Sequence, residues 1–103
     1  MTIYDASQFQ ALSGPCYLTG FAFRPDAIPG PSGPRTGIWK IFASTTSRSV
    51  AQLRTTLDDN LGTDNTLVFS GVFSETTANV PGPGNTRQFN NEFSFTTPFL
   101  YLM

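Results

Sequence analysis

Apolar and polar positions alternate with a period of two along most of the chain, the spacing at which successive side chains of a pleated strand point to opposite faces. In residues 16–24 (CYLTGFAFR), Tyr17, Thr19, Phe21 and Phe23 fall on one face and Leu18, Gly20 and Ala22 on the other. Residues 38–44 set Ile38, Lys40 and Phe42 against Trp39, Ile41 and Ala43. Residues 66–74 and 88–97 repeat the pattern around Phe69, Phe73, Phe89, Phe93 and Phe95. β-branched and aromatic residues fill these runs, as strands prefer. Four core strands are predicted, with shorter edge strands near residues 3–4 and 99–102.

Between the runs the punctuation is heavy. Residues 25–37 (PDAIPGPSGPRTG) hold four prolines and three glycines, which remove backbone donors and exclude both helix and central strand. A second loop is predicted over residues 79–86 (NVPGPGNT). One segment departs from period two: Val50, Leu53, Leu57 and Leu61 recur at helical spacing after Ser47 and Ser49, with Gly62 as a stop, and predict one short helix. Asp58 and Asp59 sit at the wrong end for the helix dipole, so the helix is expected to end before them. A further helical turn is expected after Asp5, whose carboxylate caps it. The fold class that fits is mainly β: an antiparallel β-sandwich or partly open barrel, with about six strands and one short helix, in a single domain over residues 1–103.

Composition narrows the chemistry. At 39% apolar and 14% aromatic, the chain has enough to bury one core in 11.2 kDa and is not a disordered composition. Six basic against seven acidic residues, with no long same-sign run, supply no electrostatic footprint for nucleic acid. The absence of histidine removes the commonest general base, the Ser-His and Cys-His nucleophile pairs and every imidazole metal site. Cys16, the single cysteine, reads as a half-buried hydrophobe on a strand. No signal peptide opens the chain and no run is long enough to span a membrane, so a cytoplasmic setting is one expectation.

The segments FAFRPD (21–26), STTSRSVAQLRTTLDDNLGTDNTLVFSG (44–71) and FTTPFLY (95–101) resemble a β-rich domain of exported bacterial proteins that carry a PEP-CTERM sorting signal and are processed by exosortase. The features of the resemblance are Arg24, Pro25 and Asp26; Ser44 to Ser47; Asp59, Asn60, Gly62 and Asp64; and Thr97 to Tyr101. The resemblance implies a jelly-roll-like fold and an extracellular or cell-surface setting, and assigns no activity. In that family the domain continues beyond the Pro-Phe-Leu-Tyr segment, whereas this chain closes at Met103. An apolar terminal strand, Phe99, Leu100 and Tyr101, is therefore expected to offer an edge to a second copy, giving a homo-oligomer.

Two site readings stand beside that of a non-catalytic structural or interaction domain. Trp39, Tyr4, Tyr17 and Tyr101 are possible platforms for stacking on a sugar face, with Asn90, Asn91 and Gln88 as polar partners, which makes a carbohydrate-binding module the alternative and a glycan the possible ligand. The turn DDNLGTDN offers Asp58, Asp59, Asn60 and Asp64 as oxygen ligands of the kind calcium takes, although Asp and Asn are also ordinary turn residues. Glu75 and Glu92 are the only glutamates and read as solvated acids, not a hydrolytic pair. The chain is accordingly read as no enzyme. Arg24 with Asp26 reads as a local turn ion pair.

Overall fold

The structure, a computed structural model, describes residues 1–24, 35–75, 84 and 91–102. These residues form four strands: β1 (Cys16–Phe23), β2 (Arg35–Ala43), β3 (Thr66–Glu75) and β4 (Asn91–Tyr101). They pair as two antiparallel ladders, β1 with β4 and β2 with β3. The two ladders meet chiefly along β3 and β4, and among the described residues they do not close into a barrel.

Each ladder carries one irregularity, and both turn side chains inward. In the β2–β3 ladder Ile41 pairs with Phe69 but Phe42 pairs with Leu67, so Val68 is an extra residue. The bulge lets both Val68 and its neighbour Phe69 face inward, and Val68 is fully buried. In the β1–β4 ladder Leu18 pairs with Phe99 and Gly20 with Ser94, so residues 95–98 of β4 stand opposite Thr19 alone. Pro98, which lacks a ladder donor, sits in this stretch. The slip changes the faces of β1. Leu18 and Phe21 both point inward while Tyr17 and Thr19 are exposed, which corrects the uninterrupted alternation expected for residues 16–24. The crossing is tight: a Cβ on Gly20 would run into the Phe93 carbonyl.

Phe93 is the hub of the core. It is 2% exposed, stacks on Phe73 at a centroid distance of 3.8 Å and on Phe21 at 5.1 Å, and meets the edge of Phe69 at 5.3 Å. Residues of both ladders therefore converge on one ring, each aromatic pair adding about 1 kcal/mol beyond its area burial. β2 follows its predicted alternation: Ile41 and Ala43 turn toward the core, while Ile38, Lys40 and Phe42 are exposed.

Several expectations are corrected. Residues 3–4 are not in a strand, and residues 99–101 are not a separate edge element but the end of β4. Residues 35–37, expected in the proline-rich loop, open β2. The rest of that loop, residues 76–83 and 85–90 with Gln88, Phe89 and Asn90, and Asp26 lie outside the described residues. The predicted helix is two single 3-10 turns, Val50–Gln52 and Leu57–Asn60. Leu53 between them is extended (φ −62°, ψ 144°), and Thr55 and Thr56 follow it, β-branched residues with weak helix propensity. Val50 and Leu57 are 58% and 53% exposed, so the helical spacing of apolar residues does not make a buried stripe. The turn after Asp5 forms as expected, a 3-10 turn over Ala6–Phe9 capped by the bond from Ser7 N–H to the Asp5 carboxylate at 2.9 Å.

Candidate functional site

The sequence brings four aromatic rings and three polar side chains to one end of the two ladders. β1 ends and β4 begins there, with Phe23 opposite Asn91, and β3 ends beside them. Trp39 pairs across β2–β3 with Gly71. With no side chain opposite, the indole lies near Phe73 (6.3 Å, edge-on) and Phe93 (5.7 Å). Together these rings floor a cleft of about 190 Å³, rimmed by Arg24, Glu75 and Asn91. Trp39 and Phe23 keep 47% and 46% of their surface exposed, whereas Phe93 is buried. Asn91 is 4% exposed, so its amide is held by the fold. Concave sites of this type, apolar with a few placed polar groups, are where small ligands bind.

No family model, curated protein or solved structure matches the chain.

Of the residues singled out for sugar binding, the cleft gathers Trp39 and Asn91. Tyr101 packs on Phe9 at 5.0 Å, and Tyr4 meets Phe9 edge-on at 6.5 Å. That cluster lies at the far end of β4, where Tyr101 pairs with Cys16, whereas Asn91 pairs with Phe23 at the other end of the ladder. Tyr17 pairs with Leu100 and is 65% exposed on the outer face. Phe23, Arg24, Phe73 and Glu75 complete the cleft without having been singled out. Period two marked Phe23 and Phe73 as core, and only the register of two ladders sets them around Trp39. Glu92 is exposed on the face of β4 opposite to Phe93, so the two glutamates do not face each other.

The acidic turn is occupied by its own structure. Asn60, 3% exposed, accepts from the Arg54 N–H at 2.9 Å and donates to the carbonyls of Arg54 (2.8 Å) and Thr56 (3.3 Å). The Asp64 carboxylate accepts from the Thr45 N–H (2.9 Å), the Thr45 hydroxyl (2.7 Å) and the Ser44 hydroxyl (3.2 Å). Desolvation pushes Asp64 toward protonation, but these bonds together outweigh it and hold its pKa below the ordinary value. Gly62 donates to the Thr45 carbonyl at 2.8 Å, in a space where a Cβ would meet that oxygen at 2.6 Å. Asp58 and Asp59 lie exposed in the 3-10 turn. Among the described residues no three acidic or cysteine side chains gather as they would around a metal ion, and no helix is long and apolar enough to cross a membrane.

Proposed function

We propose that this chain is a non-catalytic interaction domain, its two ladders packed as a β-sandwich of jelly-roll type, which binds a single sugar ring in the Trp39 cleft. The observation that carries the reading is the half-exposed indole of Trp39 beside the fixed amide of Asn91 in a cleft of about 190 Å³. A pyranose ring has an apolar face of C–H groups and an equatorial belt of hydroxyls. The indole and the Phe23 ring suit the first, and Asn91, Glu75 and Arg24 suit the second. The volume lies below the roughly 300 Å³ at which pockets for drug-sized ligands begin, which favours one ring over a longer chain. The non-catalytic part rests on the lack of histidine and on the separation of Glu75 from Glu92. The exported, surface setting belongs to this proposal through the sequence resemblance alone.

Trp39 is the only tryptophan, so its emission reads the cleft directly. Titration with neutral monosaccharides is expected to change the emission saturably for at least one sugar, and calorimetry is expected to show that binding lost in Trp39→Ala and kept in Tyr17→Ala. Unchanged emission and no binding heat across hexoses, pentoses and N-acetylhexosamines would end the sugar reading.

A second reading, self-association, is favoured by the outer faces. Ile38 opposite Val72 and Phe42 opposite Leu67 are 82%, 68%, 55% and 41% exposed. Among the described residues each ladder has two strands, and isolated two-stranded ladders are marginal in water. At the end of β4 Phe99 is buried and Tyr101 packs on Phe9, while Leu100, Leu102, Tyr17 and Tyr4 are exposed. A second copy of the chain is the partner assigned to these faces. Sedimentation velocity is expected to show a concentration-dependent dimer that Ile38→Lys or Leu100→Lys weakens. A monomer at all concentrations would reject it.

A further inference from the structure

A depression of about 550 Å³ lies in the connection between β2 and β3, lined by Ser47, Arg48, Ala51, Gln52, Leu53 and Arg54. This connection leaves the ladder at its Ala43 and Thr66 end, opposite to the end that carries the Trp39 cleft. We propose that the depression is a second binding site, which takes an oxyanion group: a sulfate, phosphate or carboxylate.

Four of the six lining residues, Ser47, Arg48, Gln52 and Arg54, carry side-chain donors. Arg48 gives its Nε–H to the Asp59 carbonyl at 2.8 Å, which fixes the plane of the guanidinium and leaves its Nη groups to a ligand. Its backbone is held as well, the Arg48 N–H donating to the Thr46 hydroxyl at 3.2 Å. The Gln52 Oε1 accepts from the Ser49 N–H and hydroxyl at 3.2 and 3.1 Å, so the end of the amide left over is the donating Nε2. Arg54 has its backbone N–H and carbonyl both bonded to the buried Asn60 amide, while its exposed guanidinium has no partner among the described residues. No carboxylate lines the depression. Two arginines, a hydroxyl and an amide N–H, with no acid among the residues that line the space, select a ligand that only accepts. Guanidinium geometry suits the paired oxygens of an oxyanion. The bracing of the connection by Asn60 and Gln52 holds its backbone, and the Asp59 carbonyl holds the Arg48 guanidinium, before any ligand arrives, which lowers the ordering cost of binding.

The test is a nitrogen-15 NMR titration of the full chain with sodium sulfate, sodium phosphate and sodium acetate, each at constant ionic strength held by chloride. At least one anion is expected to give saturable shifts confined to the amides of residues 47–54 and the Arg48 and Arg54 Nε–H signals, and the arm that saturates at the lowest concentration names the group. Arg54→Gln, whose side chain takes no part in the fold, is expected to weaken binding about tenfold, the loss of charged hydrogen bonds. Trp39→Ala is expected to leave the titration unchanged, separating this site from the cleft. Shifts that rise without saturation and scatter over the chain, or an Arg54→Gln titration equal to that of the unchanged protein, would overturn the proposal.

Discussion

The Thr96 hydroxyl donates to the Val68 carbonyl at 3.2 Å, joining the two ladders where both leave their regular register. Val68 is the bulged residue of β3, and Thr96 lies in the stretch of β4 that outruns β1. A bulge removes a carbonyl from its own ladder, and a buried carbonyl without a partner costs about 1–3 kcal/mol. Here the irregularity of one ladder supplies the donor for the other. Thr96→Val keeps the shape and removes the donor, so chemical denaturation is expected to show a loss of about 1–3 kcal/mol. Thr96→Ser is expected to recover most of it. Equal stability of all three proteins would mean that water satisfies this carbonyl.

Gly20 and Gly14 make a matched pair. A methyl at Gly20 meets the Phe93 backbone carbonyl, whereas nothing lies within 4 Å of the same position at Gly14. Backbone cannot yield as a flexible side chain does, so Gly20→Ala is expected to cost about 1–3 kcal/mol. Gly14→Ala is expected to fall within about 0.5 kcal/mol of the unchanged protein. Thermal unfolding separates the two, since each kcal/mol moves the midpoint of a domain of this size by roughly 4–8 °C.

Asp64 ties stability to pH. Its carboxyl pKa is held below the ordinary value in the fold. The stability it adds is thus present above the unfolded pKa of about 4 and is lost as pH falls through the folded value. Asp64→Asn is expected to cost about 1–2 kcal/mol at pH 7, allowing for solvent screening of a part-exposed group. The gap between the two proteins is expected to narrow below about pH 4. A gap of constant size from pH 7 to pH 2 would show that charge has no share in the clamp on Thr45 and Ser44.

Asn60 braces the connection that carries both arginines of the proposed anion site. Asn60→Ala leaves the Arg54 N–H and two carbonyls without their side-chain partner, with an expected cost of about 1–3 kcal/mol. Hydrogen exchange is expected to speed up at the Arg54 amide by more than at the amides of β1, because the damage is local. Uniform acceleration over the whole chain would instead make the connection part of one cooperative unit.

Much of the strand content was legible in the chain itself. Alternating apolar residues mark β1 to β4 within a few residues, because a half-buried strand must show its pattern locally. The cap at Asp5 was legible for the same reason, since donor and acceptor lie two residues apart. The helix expected from residue 50 to a point before Asp58 is two 3-10 turns instead, because its apolar spacing does not mark one buried face: Leu53 and Leu61 are half-buried while Val50 and Leu57 are exposed. Its real organiser, Asn60, bonds to backbone six residues earlier in a manner that composition does not encode. The acidic turn was legible as a turn, but the Asp64 carboxylate is engaged by Ser44 and Thr45 across twenty and nineteen residues.

Local pattern alone marks a strand-built domain without histidine, in which Trp39 and Asn91 are worth weighing as ligand contacts. That those two share a cleft while Tyr4, Tyr17 and Tyr101 lie elsewhere, and that Arg48 and Arg54 line one depression, follows from how the ladders pack. The difference is one of range. Side-chain alternation is a property of neighbours in the chain, whereas ladder register, and above all the one-residue slip at Val68 and the longer one opposite Thr19, sets which faces meet.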